Sequence, residues 1–163
     1  MLNILPATLE HIESITEIYN EAVLNSTATF DTEPKSVEEQ RLWFNEHSDK
    51  YPILVVEENN DVVGWASLSR WSGRCAYEDT AEISIYIKDA YRGKGMGTKL
   101  LKKILEDGKA AGLHTVLARI AEGSDASIRL HKNAGFEYIG VMKEVGKKFG
   151  RLLDVHMMQL IFK

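Results

Sequence analysis

The stretch YRGKGMGTKLL, Tyr91 to Leu101, sets Gly93, Gly95 and Gly97 beside Arg92 and Lys94, then runs straight into a helical pattern. Backbone N–H groups at a helix start have no intrahelical partner, and the helix dipole favours negative charge there. Glycines let a bulky anion reach those donors, so the segment reads as an anion cradle at the mouth of a helix. A turn that only joins strand to helix is the bland reading, but two cations among three glycines favour the cradle. Two familiar phosphate loops do not fit. The P-loop needs one residue more between its glycines than Gly93 and Gly97 allow. The dinucleotide fingerprint belongs after the first strand of a parallel array, whereas these glycines follow three antiparallel-looking strands.

Upstream, YPILVVEENNDVVGWASLSRW (51–71) gives an apolar run, an Asn-Asn-Asp turn and a second run, the order of a β-hairpin. TAEISIYIKD (80–89) adds a third strand after the loop SGRCAYED. Nearer the N-terminus, residues 2–5 form a short strand. Thr8 then caps a helix with Ile12, Ile15, Tyr19, Ala22 and Val23 on its apolar side. STATFDTEPK (26–35) breaks that pattern, and Ser36 with Glu39 forms a capping box that starts a second helix near Val37.

Downstream, the spacing of Leu101, Ile104 and Leu105 predicts a helix from Thr98 to the Ala111-Gly112 stop. HTVLARI (114–120) is a strand, Ser124 or Asp125 opens a helix through SIRLHKNA that Gly135 ends, and FEYIGVMKEV and LLDVHMMQLIF are closing strands. The order β-α-α-β-β-β-α-β-α-β-β predicts a mixed α/β fold. It is a twisted mixed sheet with helices on both faces, in a single domain spanning 1–163.

The composition, 44% apolar and 27% charged, is that of an ordinary globular chain, and 163 residues bury roughly 70% of their unfolded surface. A net charge of −4 argues against nucleic acid and anionic membrane as partners, leaving a small molecule. No apolar run approaches the ~20 residues of a membrane span. One cysteine cannot form an internal disulfide, and MLNILPATLEHIE lacks the basic flank and apolar core of a signal peptide, so the expected location is the cytoplasm. The five histidines are scattered, with neither H-E-x-x-H nor C-x-x-C spacing, and no metal is expected.

The motif R-x-x-G-x-G, Arg92 to Gly97, between a strand and a long helix, resembles the pyrophosphate loop of the GNAT superfamily of N-acetyltransferases. STATFDTEP, RWSGRCAYEDTAEISIYI, YRGKGMG and SIRLHKNAGFEYIG further resemble the phosphinothricin and methionine sulfoximine acetyltransferases, over nearly the whole chain. That resemblance implies acetyl-CoA as cosubstrate and no metal. The coenzyme is expected along the backbone of Ile85, Tyr86 and Ile87, on Arg92, Gly93, Lys94, Gly95, Met96, Gly97 and Thr98, and at Asn133. The branch usually carries asparagine where this chain has Ser124, and WSGRCAY replaces the W-K-A-R-x-A-Y of the herbicide-resistance enzymes. A homodimer is also implied.

Acetyl transfer needs a neutral amine, yet an α-amino group has a pKa near ~8 and is partly protonated at neutral pH. The period-two alternation of AEISIYI puts Ile83, Ile85 and Ile87 on one face and Glu82, Ser84 and Tyr86 on the other. A glutamate there is ordinarily exposed or paired with an arginine. The resemblance makes Glu82 the general base, acting through a water. His131 falls where the wider superfamily carries a tyrosine acid, so it is a second candidate, as acid or base. Otherwise it is a charged surface histidine near a helix C-terminus. A backbone N–H of 84–87 is placed to receive the developing oxyanion. Cys75 has no activating context and small cysteines are usually buried, so direct transfer is expected. Phe30, Trp71, Arg74 and Tyr77 match the branch's acceptor-side positions, with Arg74 suited to grip a carboxylate. For the aromatics the alternative is core packing.

The expected activity is acetyl transfer to the α-amine of a small amino-acid-like acceptor such as phosphinothricin, methionine sulfoximine or methionine sulfone. Two alternatives stand beside it: a protein or peptide N-acetyltransferase, which needs an open groove, and a non-catalytic CoA-binding module.

Overall fold

A computed structural model describes residues 1–163. Its elements are β1 (Leu2–Pro6), α1 (Ile12–Asn25), α2 (Val37–Asn45), β2 (Ile53–Glu58), β3 (Asp61–Arg70), β4 (Thr80–Ile87), α3 (Met96–Ala110), β5 (Thr115–Ala121), α4 (Asp125–Asn133), β6 (Glu137–Lys148) and β7 (Arg151–Ile161). The strands form one seven-stranded sheet ordered β1-β2-β3-β4-β5-β7-β6. Every neighbouring pair is antiparallel except β4 and β5, which the α3 crossover makes parallel.

Local chemistry accounts for the joints. Asn59 and Asn60 take φ of 53° and 67°, the left-handed pair that a tight hairpin turn needs, and Phe149 with Gly150 repeats this between β6 and β7. Ser36 Oγ accepts from the Glu39 N–H at 3.1 Å while Glu39 Oε2 accepts from the Ser36 N–H at 2.9 Å, completing the expected capping box. Beyond α3, Gly112 at φ 98° allows Leu113 N–H to reach back to the Gly108 carbonyl at 3.0 Å, which closes the helix.

Helices cover both faces of the sheet. On one, Ile15 and Ile18 of α1 pack with Ile53, Val55, Val62 and Trp65, supported by Trp43 and Phe44 of α2. On the other, Leu100, Leu101, Ile104 and Leu105 of α3 bury against Leu54, Val56, Ala66, Leu68, Ile83, Val116 and Ala118. At about 25 cal/mol per Å² of apolar area removed from water, this larger core supplies most of the hydrophobic stabilisation.

Several boundaries differ from the sequence reading, and three of them have a clear local cause. Thr8 opens a short 3₁₀ turn, Leu9–His11, with its N–H donating to His11 Nδ1 at 2.9 Å, and α1 begins only after it. Helix α3 starts at Met96, not Thr98, because Gly95 at φ 83° serves as its N-cap. Strand β6 runs to Lys148, past the expected Val145, because irregularities at Tyr138/Gly140 and Met142/Gly146 restore its register with β7.

Candidate active site

The parallel seam between β4 and β5 is short. Thr80, Ala81 and Glu82 pair with Thr115, Val116 and Leu117, after which β4 continues to Ile87 and β5 to Ala121 without pairing. The strands part there and open a cleft of about 730 Å³ through the sheet. Its lining comes from both faces: Tyr19, Trp65, Glu82, Tyr86 and Arg119 on the α1–α2 side, and Ile83, Ile85, Ile120, Ser127 and His131 on the α4 side. One passage therefore admits a ligand from each face, and the parting leaves the β5-facing peptide groups of residues 83–87 without a strand partner.

At the end of β4 the glycine loop opens α3. Gly93 and Gly95 adopt φ of 74° and 83°, and a side-chain carbon on either would meet nothing within 4 Å, so the concave face of the loop is clear for a ligand. Gly97 lies in a different setting. Its Cα faces α4, where an added carbon would lie 3.6 Å from Leu130 Cδ2, an ordinary contact distance. Arg92 is pinned by its Nε–H to the Ile87 carbonyl at 3.0 Å, and the Lys94 ammonium lies 5.4 Å from the Tyr91 ring centre. No acidic residue sits in the first turn of α3. Arg92 also pairs with Asp89 at 3.4 Å, and a helix mouth with two cations, one neighbouring carboxylate and an open glycine face fits a diphosphate such as that of acetyl-CoA. Thr98 and Asn133 border a second groove of about 400 Å³ between α3 and α4, outside the main cleft; Ser124 lines the cleft as the N-cap residue of α4.

Glu82 stands at the fork of the seam, held by Arg119 of β5. Arg119 Nε donates to Oε2 at 2.5 Å and Nη2 donates to Oε1 at 2.7 Å, the two-pronged geometry a guanidinium and carboxylate favour. This pairing holds Arg119 above its usual pKa. Trp71 lies with its ring centre 5.3 Å from the Arg119 guanidinium and does not line the cleft, so it props the clamp.

His131, on α4, is only 3% exposed, which excludes the surface-histidine reading. Its Nδ1 lies 2.7 Å from the Ser127 carbonyl, which fixes the N–H there and leaves Nε2 with a free lone pair. Burial pushes its pKa below the ordinary value. A neutral imidazole lining the cleft is a base as it stands, and an acid only after taking a proton.

The 26–35 loop spans the α1–α2 side of the cleft. The Tyr19 hydroxyl donates to Asp31, Asn20 exchanges hydrogen bonds with both backbone groups of Lys35 at 2.8 Å, and Lys148, 4% exposed, donates to the Thr29 carbonyl at 2.7 Å. Phe30 lines the cleft and rests on Gly146 of β6 so closely that an added side-chain carbon would sit 2.1 Å from its ring. Arg74 and Tyr77 flank and end an exposed 3₁₀ turn, Cys75–Tyr77, and are not among the residues lining the cleft. The arginine that lines the cleft is Arg119. Cys75 is exposed in the same turn, not buried.

Sequence reasoning missed Arg119, Tyr19, Asp31 and Lys148. The alternation in HTVLARI puts Arg119 on the face opposite Ala118, but its meeting with Glu82 depends on a cross-strand register that no local pattern encodes.

No three His, Cys, Asp or Glu side chains cluster as a metal site. No helix is long and apolar enough to cross a membrane. Residues 13–136 match the Acetyltransferase (GNAT) family model. The L-methionine sulfoximine/L-methionine sulfone acetyltransferase of Pseudomonas aeruginosa is 41% identical over 156 residues, 94% of this chain and 91% of the relative. The crystal structure of a phosphinothricin acetyltransferase from Sinorhizobium meliloti in complex with acetyl-CoA superposes with a TM-score of 0.94 at 38% identity, covering 98% of this chain and 88% of the other. A ribosomal-protein-alanine N-acetyltransferase structure from Brucella melitensis gives 0.94 at 36% identity, covering 98% and 99%. With a through-sheet cleft, a glycine cradle and this span of likeness, the chain belongs to the GNAT family of acetyl-CoA-dependent N-acetyltransferases.

Proposed function

We propose that the enzyme transfers acetyl from acetyl-CoA directly to the α-amine of a small amino-acid-like acceptor of the methionine sulfoximine, methionine sulfone or phosphinothricin kind. The observation that carries this is the parting of β4 from β5, which brings Glu82 and His131 from opposite faces of the sheet to one cleft. Bound acetyl-CoA supplies an activated acetyl group as a thioester. Along the β4 edge at Ile85, Tyr86 and Ile87, the peptide groups of Ile85 and the N–H of Ile87 face the gap to hold it, while Tyr86 bonds to β3 and the Ile87 carbonyl accepts from Arg92. Arg92, Gly93, Lys94, Gly95, Met96, Gly97 and Thr98 receive its diphosphate, with Ser124 and Asn133 as flanking contacts.

Glu82 and His131 divide the proton work. The acceptor's ammonium must lose a proton before attack, and Glu82 takes it directly or through a water. His131 Nε2 is a second receiver, and once protonated it is the acid at hand. A backbone N–H of 84–87 supports the charge that builds on the carbonyl oxygen. Phe30 and Tyr86 wall the acceptor side, and burial holds the Tyr86 hydroxyl above its usual pKa, so it stays neutral.

The loop 26–35 closing over the acceptor side favours a small molecule over a polypeptide, while the likeness to the Brucella protein favours a peptide N-terminus. Thiol release measured on a panel of free amino acids and of alanine-initiated peptides separates them. Turnover confined to peptides would overturn the small-acceptor reading.

The same proposal includes a homodimer and a cytoplasmic location, with residues 1–163 acting as one catalytic domain. The β6–β7 hairpin carries exposed apolar side chains, among them Tyr138, Ile139, Val145 and Leu152, each half or more exposed, a surface suited to a second copy. The exposed thiol of Cys75 suits a reducing compartment. Light scattering tests the dimer, and a monomeric mass at micromolar concentration would refute it.

A further inference from the structure

We infer that Arg119 receives the acceptor's α-carboxylate, so that one guanidinium, clamped to Glu82 on one edge and open to the cleft on the other, delivers the adjacent α-amine to Glu82. The inference rests on the amino-acid reading of the acceptor and goes beyond it by naming the selecting residue.

A guanidinium has five N–H donors, and Glu82 occupies two of them, through Nε and Nη2. Nη1 has no protein partner, and the side chain is half exposed while lining the cleft. Trp71 backs the guanidinium and limits its swing. The remaining N–H groups are therefore a preset receptor for a second carboxylate, and a planar fork suits that ligand better than a point charge.

Connectivity then fixes the amine. In an α-amino acid the amine and the carboxylate hang on one carbon, so a carboxylate docked on Arg119 brings the amine close to the carboxylate that Arg119 already holds. Arg74, the arginine singled out in the sequence, lies outside the cleft. Lys35 is the other lysine or arginine lining the cleft, but it makes no contact with Glu82 and cannot couple the two groups.

The test compares L-methionine sulfone with its α-carboxamide in wild type, Arg119→Met, Arg119→Lys and Lys35→Met, with acetyl-CoA affinity measured by calorimetry as the check on folding. Wild type is expected to favour the free acid by roughly 10- to 100-fold in kcat/KM, the worth of one to two charge-assisted hydrogen bonds. Arg119→Met should bring that ratio close to one, chiefly through acceptor KM, Arg119→Lys should restore it in part, and Lys35→Met should retain it. If Arg119→Met slows acid and carboxamide equally, the residue only orients Glu82 and the inference is overturned. Loss of the preference in Lys35→Met alone, or wild type indifferent to the carboxylate, also overturns it. Wild type that turns over neither compound yet acetylates a peptide refutes the acceptor reading instead, and the two failures are distinct.

Discussion

The cofactor end and the acceptor end of the cleft are built in opposite ways. The cofactor end is local: one stretch, Arg92 to Thr98, supplies the bend, the donors and the positive charge. The acceptor end is assembled from afar. Lys148 holds Thr29 across 119 residues of chain, Gly146 seats Phe30, and Arg119 grips Glu82 across 37. A contiguous cradle tolerates change elsewhere in the chain, whereas an assembled pocket alters with any of its distant supports. That contrast lets one cofactor site serve many acceptors.

The largest expected effect would come from breaking the chemistry that joins the two ends. Glu82→Gln should lower turnover by roughly 10²- to 10⁴-fold with acetyl-CoA affinity retained. Turnover close to wild type in a folded variant removes Glu82 from the role of base.

Next, the two ends should fail separately. Gly146→Val drives a side chain into the Phe30 ring and should raise acceptor KM about tenfold while costing roughly 1–3 kcal/mol of stability. Gly95→Val forces a branched residue to φ 83° on the open face of the cradle, and should weaken acetyl-CoA in calorimetry with acceptor KM held. If either variant disturbs both ligands alike, the ends are not independent.

A smaller effect concerns pH. Burial lowers the pKa of His131 and of His47, so between the folded and unfolded values the unfolded chain binds more protons. Stability therefore rises with pH through that window and is lost as pH falls below the ordinary histidine value of 6.5. Denaturant titrations at several pH values should show this slope, reduced in His131→Gln. The smallest effect should be Cys75→Ser, with turnover unchanged; a large loss would point to an acyl-enzyme.

The same contrast explains what was legible in the letters. Periodicity and caps gave the element order because each depends on neighbours a few residues apart, as at Ser36 and Glu39. The glycine loop stands out because the mouth of α3 is one continuous stretch, whereas Glu82 stands out only through the family resemblance. Motif resemblance points to Arg74 and is silent on Arg119 because it reports position along the chain, while their placement depends on where the chain leaves the sheet after Trp71. Gly97 looks equivalent to Gly93 and Gly95 in the motif, yet it alone lies against α4, at Leu130, and it alone lacks their positive φ.

The three-residue join between β4 and β5 has a consequence for the empty enzyme. Amides of β4 beyond Glu82 that point into the gap have no sheet carbonyl to shield them, so deuterium should enter there sooner than along the β3 side. A molecule lying in the gap would act as a missing strand, slowing that exchange and raising the melting temperature with its own concentration. The seam thus makes occupancy readable without any catalysis.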